Sequence, residues 1–155
     1  MNHLVYRHLS DEDKRQICAW KYEGEYAIYN LHSYEEMQTR HIGFMNPKTE
    51  KNYYAFFDDD VLVGFINILE EPTEVSIGIG VNPDLCGKHY GQNILFATYD
   101  LSKRLYPDKP LYLEVRTWNT RAITCYEHAG FQIDGKPYEL TTGIGVGMFY
   151  RMIKE

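Results

Sequence analysis

At 155 residues, 44% hydrophobic and 25% charged, the chain suits one soluble globular domain that buries a core without disulfides or metal. A net charge of −6 argues against nucleic acid as a partner, because neutralising phosphates needs a basic face. No apolar run approaches the roughly 20 residues that cross a bilayer, so no membrane partner is expected. Cys18, Cys86 and Cys125 are odd in number and far apart, and Met1-Asn2-His3-Leu4 lacks the basic and apolar regions of a signal peptide. Both point to a cytoplasmic protein.

In chain order, residues 3–9 are β-compatible. Ser10 with Asp13 three residues on imitates a capping box, which predicts a helix from Asp11 to about Trp20. The stretch from Lys21 to Ser33 has no clear period but holds Tyr22, Tyr26 and Tyr29. Ser33 caps a second predicted helix, from Tyr34 to about Phe44. Residues 53–57 and 61–69 are β-rich runs joined by Asp58-Asp59-Asp60, a hairpin pattern. A long helix follows from Tyr90 to about Tyr106, then a strand over 111–115. Asn119 or Thr120 caps a helix that Gly130 closes. Two last strands are expected over 132–141 and 146–153, split by Gly143-Ile144-Gly145. Strands interleaved with helices in this order imply an α/β fold with a mixed sheet and helices on its faces.

The most informative stretch runs from Glu74 to Gly91. Val75, Ile77, Ile79 and Val81 alternate with Glu74, Ser76, Gly78 and Gly80, the period of a strand. The glycine-bearing face marks a place where something approaches the backbone closely. Asn82-Pro83-Asp84 ends the strand. Gly87 and Gly91 then bracket Lys88, His89 and Tyr90, directly before the longest helix. A strand, a glycine turn and a helix N-terminus together form a phosphate-binding arrangement, because backbone N–H groups and the positive end of the helix dipole meet there.

Two segments carry a family resemblance. Cys86-Gly87-Lys88-His89-Tyr90-Gly91, after a strand and before a helix, is similar to the acetyl-CoA pyrophosphate loop Arg/Gln-x-x-Gly-x-Gly/Ala of the GNAT N-acetyltransferases. Asn119-Thr120-Arg121-Ala122-Ile123-Thr124-Cys125-Tyr126-Glu127-His128-Ala129-Gly130-Phe131 resembles that family's Asn-x-x-Ala-x-x-x-Tyr-x-x-x-Gly-Phe at every named position. The resemblance implies a single N-acetyltransferase domain with a GNAT-like fold, a central mixed and mostly antiparallel sheet flanked by helices. It implies acetyl-CoA as co-substrate, no metal, and an amine of a small molecule, peptide or protein as acceptor, in a monomer or homodimer. The cofactor-binding residues it suggests are Val81, Cys86, Gly87, Lys88, His89, Tyr90, Gly91, Gln92, Asn119 and Tyr126. The chain departs from the pattern at Cys86, in place of Arg or Gln, and at His89, in place of the first Gly. A left-handed conformation at His89 would be strained.

Acetyl transfer needs a free amine, its lone pair aimed at the thioester carbonyl, and a proton for the leaving thiolate. Tyr126, a phenol with an ordinary pKa near ~10, suits proton donation better than proton removal at neutral pH; the alternative is a packing role beside Ala122. Asn119 serves as a pantetheine contact, a helix cap, or both. Glu74 is the candidate base, with Glu70 and Glu71 as alternatives. Tyr22, Tyr26 and Tyr29 lie where the resembling family shapes its acceptor pocket, although core packing explains them equally. His3, His8, His32, His41 and His128 show no metal-ligand spacing with a cysteine. Cys125 lacks the partners of a nucleophile. Gly143 to Gly147 precedes a strand, not a helix, which removes a dinucleotide fingerprint. Two other function classes stand beside the transferase: a non-catalytic acetyl-CoA sensor, and a nucleotide-binding protein, which the missing Walker Lys-Ser/Thr pair disfavours.

Overall fold

The computed structural model describes residues 4–155; His3, the expected start of the first strand, lies outside them. Among the described residues eight strands and four α-helices follow in the order β1 (Leu4–His8), α1 (Asp11–Ala19), α2 (Tyr34–Arg40), β2 (Tyr53–Asp58), β3 (Val61–Glu70), β4 (Val75–Val81), α3 (Tyr90–Leu105), β5 (Leu111–Arg116), α4 (Thr120–His128), β6 (Gln132–Ile133), β7 (Tyr138–Thr142) and β8 (Gly145–Lys154). The strand order is β1-β2-β3-β4-β5-β8-β6, with β7 also paired to β8. The sheet is mixed and mostly antiparallel, the α/β architecture that the element order predicts, with helices flanking it.

The chain divides into two compact units, residues 4–67 with 79–90, and Ile68–Gly78 with Gly91–Glu155. In the first, Ser10 and Asp13 form the expected capping box, and Asp13 also accepts from Arg7 at 2.5 Å. Ile17, Cys18, Tyr34, Met37, Phe44, Ala55 and Leu62 make its buried cluster, with Trp20 and Phe65 packed against it. The helix expected to reach Phe44 stops at Arg40. His41 turns left-handed at φ 53°, Ile42 N–H donates back to Met37 C=O at 3.3 Å, and Gly43 follows at φ 59°. That termination buries Phe44 from the 3-10 turn Gly43–Met45. The unpatterned aromatic stretch contains another 3-10 turn, Gly24–Tyr29.

In the second unit Leu111, Leu113 and Val115 of β5 and Phe149 and Met152 of β8 are buried, and the two strands pair from Leu111↔Lys154 to Arg116↔Phe149. The single strand expected over 132–141 is two strands. Gly135 takes φ 82° and Pro137 offers no N–H, so the ladder breaks between Ile133 and Tyr138. β4 and β5 run parallel, but their ladder holds only Val75↔Leu111 and Ser76↔Tyr112. Beyond it, Ile77 and Gly78 of β4 and Leu113 to Arg116 of β5 are not paired with each other. Such a split leaves a row of peptide groups that an extended ligand can pair with.

Candidate active site

The phosphate-type turn is anchored at both ends within the first unit. At its start, Asn82 fills several roles at once. Its N–H donates to Val63 C=O at 2.8 Å, its side-chain amide donates to Leu62 C=O at 3.1 Å, and its Oδ1 accepts from Asp84 N–H at 3.0 Å. These bonds fix the one-turn 3-10 segment Pro83–Leu85. The Cys86 thiol lies 3.7 Å from Asn82 C=O, a weak donor contact within the same turn. At its end, the Tyr90 hydroxyl donates to Asp58 Oδ2 at 2.5 Å, which draws on the Asp58-Asp59-Asp60 hairpin tip. That hydrogen bond, with burial and the neighbouring carboxylates, raises the Tyr90 phenol above its ordinary value.

Between these anchors Gly87, Lys88 and His89 are exposed. Gly87 has φ 84° and His89 φ 66°, both left-handed. A Cβ at Gly87 would meet nothing within 4 Å, so glycine serves backbone conformation there, not space. His89 holds this left-handed geometry with a side chain in place, at the strain cost expected from sequence. Gly91 is buried in the first turn of α3, with Gln92 beside it, where backbone N–H groups lack intrahelical partners. The glycine face of β4 has a different explanation at Gly80: a Cβ there would strike the Phe65 ring, so the close neighbour is a core side chain.

The aromatic stretch reaches this same turn. The Tyr22 hydroxyl donates to Val81 C=O at 2.6 Å, and the Tyr22 N–H donates to Asn30 Oδ1 at 2.6 Å. Tyr26 and Tyr29 lie on the 3-10 turn between them, Tyr29 38% exposed.

In the second unit Asn119 is buried and its Oδ1 caps α4 by accepting from Ala122 N–H at 3.1 Å. Tyr126 lies half-buried one turn beyond Ala122. Its carbonyl accepts from Ala129 N–H at 3.1 Å and from Phe131 N–H at 3.0 Å, and Gly130 at φ 99° lets the chain turn away. Lys154 Nζ donates to Ala129 C=O at 2.7 Å, closing the helix end. The Cys125 thiol is pushed up by burial, the reverse of what a thiolate nucleophile needs.

Glu74 lies in the bend just before β4 and is paired there. Arg151 donates to both its oxygens, at 2.5 and 3.1 Å, and also reaches Asp134 at 3.0 Å while lying 4.3 Å from the Tyr112 ring centroid. The Glu74 pairing, foremost, raises the Arg151 guanidinium further above its ordinary value. The Glu74 carboxylate is thus held in a bidentate, charge-assisted pair. Glu71 accepts from the Tyr112 hydroxyl at 2.8 Å and Glu70 from Lys109 at 2.6 Å. Sequence reasoning missed Arg151 and Asp58. Nothing local marks either, whereas Asn-Pro-Asp did carry the signal of an Asx-type cap at Asn82.

The model of the acetyltransferase (GNAT) family matches residues 14–131. The chain belongs to this family. It is therefore an acetyl-CoA-dependent N-acetyltransferase by descent, an acyltransferase. Solved structures agree on the fold. A GNAT-family acetyltransferase from Bacillus anthracis has a TM-score of 0.80 at 16% identity, over 97% of this chain and 93% of that one. A Vibrio cholerae spermidine N-acetyltransferase chimera reaches 0.72 at 22%, over 97% and 94%. An aminoglycoside acetyltransferase in complex with coenzyme A reaches 0.73 at 17%, over 97% and 94%. By sequence, no curated protein matches the chain. No helix among the described residues is long and apolar enough to cross a membrane.

Proposed function

We propose that the chain moves the acetyl group of acetyl-CoA to a primary amine of a small molecule or peptide, by direct attack within a ternary complex. The observation that carries this reading is the pairing of two features. One is a turn with left-handed Gly87 and His89 leading into α3; the other is a parallel β4–β5 ladder that stops after Ser76. The turn suits a pyrophosphate through Val81, Cys86, Gly87, Lys88, His89, Tyr90, Gly91 and Gln92, mostly by backbone N–H groups. The split ladder suits the amide-bearing pantetheine arm, whose peptide-like groups take the partners a neighbouring strand would offer. Asn119 joins that contact in addition to capping α4.

The amine nitrogen attacks the thioester carbonyl, the carbon–sulfur bond breaks, and the thiolate takes the hydroxyl proton of Tyr126, which solvent then restores. The amine gives up its own proton to solvent. Glu74 acts as a positioning residue, its carboxylate committed to Arg151. Tyr26 and Tyr29 face the acceptor. The net charge of −6 favours a cationic acceptor, as an amine is in water. The reading includes one functional domain, since the family model runs across both compact units. It also includes a cytoplasmic location, in keeping with three free cysteines.

Thiol release from acetyl-CoA, followed over a panel of spermidine, kanamycin, free amino acids and short peptides, tests the reading. Acceptor-dependent release with an acetylated product in the mass spectrum is expected. Tight acetyl-CoA binding without release for any amine favours the sensor.

A further inference from the structure

The hydroxyl of Tyr22 and the carbonyl of Val81, 59 residues apart in sequence, meet at 2.6 Å. The peptide plane they involve is held from its other side as well, because Asn82 N–H donates to Val63 C=O at 2.8 Å. A peptide is rigid about its C–N bond, so fixing the oxygen and the hydrogen fixes the direction in which the chain leaves β4 for the turn. Turning that plane breaks both bonds together.

The other side of this link is a closed segment. Asn30 Oδ1 accepts from Tyr22 N–H at 2.6 Å, so residues 22–30 form a loop shut at its base, with the 3-10 turn Gly24–Tyr29 inside it. Within the loop, Tyr26 N–H donates to Glu23 C=O at 3.1 Å and Asn30 N–H to Ala27 C=O at 3.0 Å. These short-range bonds hold the turn, and no residue of it is buried. Tyr22 belongs to both structures: its N–H closes the loop and its hydroxyl fastens the loop to the end of β4.

We propose that Tyr22 is a positioning residue that couples the two substrates' sites: its hydroxyl ties the 22–30 segment to the Val81–Asn82 peptide, so that filling the turn with acetyl-CoA orders the segment that carries Tyr26 and Tyr29. The proposal rests on reading residues 86–91 as the cofactor turn. The coupling is thermodynamic and reciprocal, so a ligand that settles either part lowers the ordering cost of the other. The Tyr22 hydroxyl is then committed to the protein's own backbone, and Tyr26 and Tyr29 lie on the segment that it ties down.

Amide hydrogen exchange of the full chain, with and without acetyl-CoA, reads this directly, alongside calorimetry of acetyl-CoA binding. In the wild type acetyl-CoA is expected to slow exchange in the turn and in residues 22–30 alike. In Tyr22→Phe, which keeps the ring, the slowing in 22–30 is lost while the slowing in the turn remains. The acetyl-CoA Kd rises about fivefold, the worth of one neutral hydrogen bond. Asn30→Ala keeps the hydroxyl but opens the loop, so exchange in 22–30 speeds up without cofactor and the response to cofactor shrinks. If Tyr22→Phe shows the wild-type slowing in 22–30, or if Asn30→Ala exchanges like the wild type, the coupling is refuted. It is refuted equally by a wild type that binds acetyl-CoA with no change in that segment. A wild type that fails to bind acetyl-CoA overturns the cofactor-turn reading itself, and the coupling with it.

Discussion

The turn over 86–91 and the helix α4 carry the two segments that resemble the family's signatures, and they match those signatures to different degrees. The turn departs from its pattern at Cys86 and His89, yet His89 holds φ 66° and Gly87 φ 84°. Its specification lies in backbone direction, set by Asn82 on one side and the Tyr90–Asp58 hydrogen bond on the other. In α4 the pattern is complete: the Asn119 side chain caps the helix, and Tyr126 is the residue proposed to give the proton. The turn thus holds its shape through its main chain, whereas the role proposed for Tyr126 depends on one side-chain proton.

The sharpest way to break that comparison is steric. Gly91→Gln puts bulk into a buried position of the first turn of α3, and acetyl-CoA binding should weaken by about 100-fold or more, roughly 3 kcal/mol. Calorimetry checks this, with a melting curve to show that the fold survives. Unchanged affinity moves the site elsewhere.

Next in size is Glu74→Gln. Losing the charge of a clasp that takes two Arg151 hydrogen bonds should cost about 1–3 kcal/mol of stability, a drop of several degrees in Tm. The pH–rate profile should keep its shape. A displaced basic-side limb with unchanged Tm would instead make Glu74 the base.

A smaller effect is expected of His89→Gly. Relieving a left-handed side chain should leave acetyl-CoA affinity equal or tighter. A large loss would show that the imidazole binds phosphate, and the main-chain account of the turn would need revision.

The smallest effect concerns alkaline pH. Burial, foremost, with the Glu114 hydrogen bond at 2.6 Å, raises the Tyr138 phenol well above its ordinary 10.0. Between those two values the folded chain keeps a proton that the unfolded chain releases. Stability from this group is therefore present below the ordinary value and declines as pH rises past it. Tm measured through that range should fall less steeply in Tyr138→Phe than in the parent.

Much of this was legible in the sequence because it is local. The Ser10–Asp13 box, the alternation along β4, the Asn119 cap and the strained His89 all follow from neighbours in the chain. Boundaries failed where a tertiary contact outweighed local pattern. Phe44 is buried by a chain that leaves α2 at His41, and Gly80 is small because Phe65 occupies its space. Glu74 illustrates the limit best. The sequence pattern places it on the strand face, whereas it lies in the bend before β4, and Arg151, 77 residues away, reaches it from β8.

The comparison turns finally on Tyr126→Phe, which removes one proton and leaves the ring. Single-turnover rates with an accepted amine, set beside the acetyl-CoA Kd of the same variant, separate holding from chemistry. We expect an unchanged Kd, an unchanged Tm and a rate lowered by about tenfold or more, the modest end of what a positioned acid supplies. A parental rate across pH would contradict this and take Tyr126 out of the reaction.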